Sequence, residues 1–463
     1  MRPLPTLERP DEAILASARR EPLFKLEIVV VTPLFGGSAI ARKVDADRPV
    51  SPQSVRGHLR FWWRACKAGA FVSLEELFDR EAEIWGSVPY KRDPEQKNPQ
   101  GGPSGVEIEI TDYQHTEKKY CSPVPLQGND GKYQRPSGFV DGYPPYALFP
   151  FQAELSSDRR NIKQYPADML VGVKFRLLIF APDALKSEIE TALWAWVNFG
   201  GVGSRTRRGC GALYCDQFSP PSSNTALSVK HSAGSMVNPF SPTFNLLPHL
   251  FRARMLLGNK CSPKDAWVRA VDVMNLFRQG KNIGRNEGSD KNNPKKLGRS
   301  FWPEPNAIRL ATGHTKGKHK VPDNAPIYYP RADFGYPIIF HFIDDPKDKG
   351  IFPPEPEQVI LEGGRGQKRM ASPFILKPLA VSEHEAYPMI LLLTAPHVWN
   401  MEEPAMSLHS IKDQTLLADI AEQEIHLRSI GPMASVGGGK DNVRDAFMYF
   451  AAKQLNTTEV TLP

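Results

Sequence analysis

Residues 198–211, NFGGVGSRTRRGCG, set Gly200, Gly201 and Gly203 directly before Arg205, Arg207 and Arg208. Glycine allows positive φ and close backbone approach, and the planar arginine fork matches phosphate oxygens. The stretch ends one helical pattern and precedes a short apolar segment at 212–215, which reads as a strand. Working backward, that helix starts near Asp183, shares Leu185, Ile189, Leu193 and Trp196 on one face, and follows the strand VGVKFRLLIF at 171–180. Earlier, KLEIVVVT at 25–32 is β-branched and bounded by Pro33, Gly36 and Gly37. A helix then opens at SPQSVRG, with Ser51 as its cap and Pro52 in its first turn. Val55, Leu59, Trp62 and Cys66 give its buried face, and Arg56, Arg60, Arg64 and Lys67 a cationic stripe. With VEIEI at 106–110 as the second strand, the order is β-α-β-β-α-β, the split arrangement of a ferredoxin-like fold. In that fold the glycine–arginine loop falls near Arg56, so two basic features converge.

The expected class is therefore α+β, with two tandem ferredoxin-like (RRM-like) domains and long inserted loops. Residues 1–218 form the first, with an irregular insertion at about 111–166. A Pro/Ser-rich linker spans 219–243, and residues 244–463 form a second, degenerate copy with a basic insertion at 278–320. In that copy a helix opens at SPKDAW with Trp267, Val271 and Met274 on one face. Strands are expected at 336–342, 374–380 and 389–394, then a helix from about Ile411 into SVGGGKDN. Lys440 after Gly437–Gly439 echoes the first glycine loop.

The 463 residues carry a net charge of +7, and between 278 and 320 eleven Lys or Arg face Glu287, Asp290 and Glu304. That segment alone holds a local excess of +8. Its composition fits a flexible arm whose charge speeds encounter with a polyanion. The longest apolar run, MILLL at 389–393, is far too short to cross a bilayer, and the first residues show no signal pattern, so a cytoplasmic protein without membrane contact is expected. Five scattered cysteines without CxxC pairs argue against a disulfide framework and structural zinc. No metal or cofactor is expected. Gly201 and Gly203 follow a helix instead of opening one, which excludes a dinucleotide loop, and GGGKD lacks the earlier glycine and the hydroxyl residue of a nucleotide-phosphate loop.

His58, in RGHLR between Arg56 and Arg60, is the one residue placed to act as a general base. The alternative is a solvated or phosphate-contacting residue. For Arg205, Arg207 and Arg208 the alternative to phosphate contact is a turn fastened to Glu81 or Glu83. Trp62 reads as core and Trp63 as undecided. Tyr113, Tyr120, Tyr133, Phe139, Tyr143 and Tyr146 either stack on unpaired bases or pin the insertion to its domain.

VVVTPLFGGS, SVRGHLRFWWRA, EIWGS and NFGGVGSRTRRGCG together resemble the successive signatures of the RAMP subunits of type III CRISPR effector complexes. The helix motif and the length most resemble the first RAMP subunit of the type III-B (Cmr) complex. The likeness covers about residues 24–218; beyond that only FGYPIIF, RMASPFILKP and the glycines at 437–439 fit. It implies a noncatalytic subunit that binds guide RNA, near its 3′ portion, and target RNA in antiviral defence, beside other Cmr subunits. Carried over by residue, Gly200, Gly201, Gly203, Arg205, Arg207, Arg208 and Gly209 form the glycine-rich loop and Arg56, Arg60 and Arg64 the basic helix; Ser204, His58 and Lys440 are further expected RNA-binding residues. Two other functions compete with this one: a RAMP endoribonuclease processing CRISPR repeat RNA with His58, and a protein–protein scaffold.

Overall fold

The computed structural model describes residues 21–91, 100–134, 138–221, 247–288, 297–315, 320–342, 355–356, 358–363, 368–398, 406–410, 416–420 and 427–462. The first unit runs β1 (Phe24–Val30), α1 (Pro52–Lys67), α2 (Leu74–Trp85), β2 (Glu107–Gln114), β3 (Lys174–Phe180), α3 (Lys186–Phe199) and β4 (Leu213–Tyr214). Its antiparallel sheet is ordered β4-β1-β3-β2. Alternation sets the register: Phe24, Leu26, Ile28 and Val30 are buried, Leu26 faces Leu177, and Ile28 faces Phe175. Ser51 caps α1 by accepting from Ser54 N, as the sequence implies.

The second unit runs β5 (His249–Leu257) and α4 (Pro263–Gln279), then α5 (Glu304–Ala311), β6 (Ile338–Phe340) and β7 (Val359–Gly363). After these come β8 (Phe374–Ala380), β9 (Ala386–Thr394), β10 (Met406–Ser410), β11 (Leu416–Ile420), α6 (Val443–Leu455) and β12 (Val460–Thr461). Its main sheet is ordered β12-β5-β9-β8, and β6-β7-β10-β11 form a satellite sheet with its own core of Tyr336, Phe340, Leu361 and Leu408. Each main sheet thus lies in the order last, first, third, second strand. Where the sequence suggests a helix from Ile411, residues 416–420 are the edge strand β11.

Alternate residues of the second main sheet enter different cores. Phe374, Leu376, Ile390 and Leu392 pack with Trp267 of α4 and Phe447 of α6. Ile375, Leu379, Met389, Leu391 and Leu393 pack with Leu59 and Trp62 of α1 and Trp196 of α3. The sheet is therefore covered on both faces, by its own helices and by those of the first unit. That explains the unbroken apolar run at 389–393, because a strand buried on both sides needs no polar alternation.

Lys377 has the parity of Ile375 and Leu379, so it points into the first unit with no exposed surface. Its ammonium donates to the carbonyls of Val197 (3.4 Å), Asn198 (3.0 Å) and Gly200 (2.8 Å). These belong to the end of α3, whose last turn has no basic residue of its own, so the second unit supplies the cation that helix end favours. Burial pulls the amine down to about 7, from an ordinary value of 10.5. The unfolded chain then binds more protons than the folded one between pH 7 and about 10, so this group's contribution to stability rises across that window. Lys377→Met is expected to lower unfolding free energy by about 2 kcal/mol at pH 9, where the folded-state amine is neutral and its hydrogen bonds to the carbonyls at the end of α3 are lost. The gap to wild type should shrink toward pH 7 in urea titrations; a gap independent of pH contradicts this.

Two expectations change. The 111–166 insertion is partly regular: 117–120 pairs with 168–171, and 154–155 with 162–164. Residues 280–288 and 297–311 of the basic segment are folded, not a free arm: Trp302 packs on α4, and Ala307 and Ile308 join the satellite core. Trp302 is buried, meets Phe277, and donates from Nε1 to Arg278 O at 2.9 Å; Asn286 N donates to Arg299 O at 2.8 Å. Trp302, Ala307 and Ile308 supply the apolar anchors that the average composition hides. Residues 289–296 and 316–319 lie outside the described residues, as does most of the expected linker.

Candidate nucleic-acid interface

The glycine–arginine loop leaves α3 and is tied first to the segment after β1. Ser204 N donates to Phe35 O (2.7 Å), Gly211 N to Pro33 O (3.0 Å), and Thr32 Oγ1 to Gly209 O (2.7 Å). Two stretches 170 residues apart in sequence thus become one structure. At Gly203, φ is +80° and a Cβ would lie 2.3 Å from Phe35 O, so only glycine fits.

The loop is tied next to the second unit. Trp267 Nε1 donates to Arg208 O at 2.5 Å, Arg207 Nη1 donates to Ser372 O at 2.6 Å, and a Cβ on Gly209 would meet Trp267 Cδ1 at 2.4 Å. The loop therefore sits at the seam between the units, against Phe61 and Trp62 in the middle of α1, over whose Phe61 ring Arg207 lies at 5.3 Å.

At this seam arginines gather without carboxylates. Burial lowers the pKa values of Arg205, Arg207 and Arg208, and Arg208, pushed further by Arg278, Arg205 and Arg207, falls to about 10. Arg205 lies 5.9 and 6.0 Å from the rings of Phe149 and Phe151, and Arg278 lies 5.6 Å from Phe334. Among the described residues none of the four has an ion pair, and Nε of Arg205, Nη1 of Arg208 and Nε of Arg278 are buried without a hydrogen-bond partner. A half-buried guanidinium without a carboxylate carries a desolvation cost, and an anion is the group that relieves it. The suspected acidic anchor is used elsewhere: Glu81, 4% exposed, accepts from both Arg60 and Arg64.

That correction reaches the whole basic stripe. Arg56 donates to Val106 O at 3.1 Å, tying α1 to the residue before β2, and Arg60 and Arg64 hold α1 to α2 through Glu81, so these three fasten elements of the first unit instead of joining the loop arginines. His58 is half-buried, its ring 6.5 Å from that of Trp196, and burial lowers its pKa, leaving it neutral at pH 7. Trp62 and Trp63 are both core, and Trp63 Nε1 donates to Glu188 at 2.9 Å. Tyr113 donates to Val50 O at 2.7 Å, and Tyr143 packs on Trp267, so both pin the insertion. Lys440 is exposed beside the ion pair of Arg428 and Asp441. Its glycine loop precedes α6, whereas the first loop follows α3, so the two are not topological counterparts. Arg278, which sequence reasoning left in the basic arm, is a member of the cluster; it is the last-turn basic residue of α4. No group of three or more His, Cys, Asp or Glu among the described residues could hold a metal, and no helix there is long and apolar enough to cross a membrane.

Paired antiparallel sheets of one strand order, with arginines that have no carboxylate partner among the described residues at their seam, define an α+β protein suited to a polyanion. The model of the RAMP superfamily matches residues 27–214. The CRISPR system Cmr subunit Cmr1-2 of Pyrococcus furiosus is 30% identical over 206 residues, which cover 42% of this chain and 94% of that relative. The chain belongs to the RAMP superfamily and is similar to Cmr1-type subunits. Among solved structures, apo Cmr1 from Pyrococcus furiosus matches with a TM-score of 0.41 and 14% identity, over 95% of this chain and 98% of the other. A chain of the type III-B Cmr-beta complex bound to cognate target RNA and AMPPnP in the presence of ssDNA matches with a TM-score of 0.38 and 14% identity, over 81% and 95%.

Proposed function

We propose that this chain is a noncatalytic RNA-binding subunit of a type III-B CRISPR (Cmr) effector complex, engaging the 3′ portion of the guide RNA and the target RNA in antiviral defence. The observation that carries this reading is the carboxylate-free cluster of Arg205, Arg207, Arg208 and Arg278 at the seam, since RNA phosphates are the anions that would pair it. Family membership supports the same reading, as the similar Pyrococcus furiosus protein is a Cmr subunit. With α2, α5 and the satellite sheet set aside, each main sheet and its helices run β-α-β-β-α-β, and the shared strand order favours two tandem ferredoxin-like domains, residues 1–218 and 244–463, as the architecture. Other Cmr subunits are the proposed protein partners, in the cytoplasm. Crosslinking RNA to the assembled complex should yield peptides containing 203–208 and Arg278; crosslinks confined to Arg60, Arg64 or Lys440 would oppose this reading.

His58 has no carboxylate partner among the described residues, and one unassisted general base supplies only about 100-fold to 10,000-fold. Purified protein is expected to leave repeat and target RNA intact on denaturing gels, with or without divalent metal. Specific cleavage abolished by His58→Ala would establish the endoribonuclease instead.

A further inference from the structure

Several aromatic side chains of the 111–166 insertion are used in packing, but Phe149 is 60% exposed. It is nonetheless rigidly framed. Ala147 and Leu148 before it are fully buried, Ala167 N donates to Phe151 O after it at 2.9 Å, and the Phe151 ring stacks on Phe35 at 4.6 Å. Beside it, Arg205 takes a left-handed conformation (φ 59°), and its guanidinium lies 5.9 Å from the Phe149 ring and 6.0 Å from the Phe151 ring. Its Nε has no partner, and the adjoining Gly203 and Ser204 are exposed.

A single exposed phenylalanine is ordinary on a protein surface. A fixed, exposed ring next to a cation that lacks a carboxylate is a more specific combination. Single-stranded RNA sites use it, the ring taking the face of a base and the cation the phosphate. We infer that Phe149 and Arg205 form a subsite for one unpaired nucleotide, its base stacked on Phe149 and its phosphate on Arg205. In a duplex both faces of each base are covered by its neighbours, so the subsite selects unpaired RNA over paired RNA. The inference rests on reading the seam as RNA-binding and adds what kind of RNA enters it.

The test is fluorescence anisotropy with the full chain and three probes: a single-stranded oligouridine, an abasic oligoribonucleotide of equal length, and a blunt RNA duplex. Phe149→Ala should weaken oligouridine binding about tenfold, within the span of one base–aromatic stack, and leave the other two probes unchanged. Phe149→Trp should retain oligouridine affinity. Arg205→Ala should weaken oligouridine and abasic RNA alike. If Arg205→Ala weakens binding while Phe149→Ala changes nothing, or weakens the abasic probe equally, the stacking subsite is overturned and the arginine reading stands. If wild type binds none of the probes, or Arg205→Ala is silent on all of them, the reading of the seam fails as well.

Discussion

Trp267→Ala is expected to cost about 3–5 kcal/mol in unfolding free energy, the usual range for emptying a fully buried large aromatic site. Three contacts converge on this one side chain. Its indole N–H satisfies Arg208 O, its ring meets Tyr143 of the insertion at 5.5 Å, and its edge fills the space that Gly209 leaves by lacking a Cβ. All three are contacts between the units, so the substitution loosens the loop from the second unit as well as opening a cavity. Urea titration monitored by circular dichroism should show the loss, and RNA affinity should fall with it because the loop arginines lose their frame. A change below about 1 kcal/mol would mean that the seam relaxes around the gap and that the two units are not held by this residue.

Arg208→Met should separate stability from binding. Arg208 is held among Arg205, Arg207 and Arg278 with one terminal nitrogen unpaired, and burial has already drawn its pKa down to about 10. Replacing a half-buried charge that has no carboxylate partner with an apolar side chain of similar length removes a desolvation cost, so the free protein should be as stable as wild type or more stable. RNA affinity should fall by roughly tenfold or more, the scale of one lost charge-assisted contact. A residue kept for structure would move both quantities downward together. A site residue kept at the expense of stability moves them apart.

Much of this architecture can be read from residue order, for identifiable reasons. The caps at Ser51 and Ser262, the alternation in 25–32 and the helical spacing of Val55, Leu59 and Trp62 are local signals, and local signals place β1, α1 and α4. What covers the far face of a strand is not local. FILKPLA and MILLL read as strands, but nothing in them says that the second cover is α1 and α3 of another unit. Lys377 is hidden for the same reason, since a lysine in a strand reads as solvent-facing until the end of α3 is brought over it. The loop arginines were visible as a phosphate-matching set, whereas the fate of the α1 stripe depended on Glu81, seventeen residues beyond Arg64 and on another helix. Arg278 was counted with the basic segment because its charge was legible and its neighbours were not.

The most direct test of the seam as an RNA site is the salt dependence of affinity for a single-stranded RNA, measured for wild type and for Arg205→Ala with Arg208→Met. Each phosphate neutralised on a single strand contributes about 0.7 to the slope of log affinity against log salt. If both guanidiniums hold phosphates, the double variant, checked by circular dichroism to be folded, should bind more weakly with a slope flatter by about 1.4. An unchanged slope and affinity in the folded variant would contradict the account.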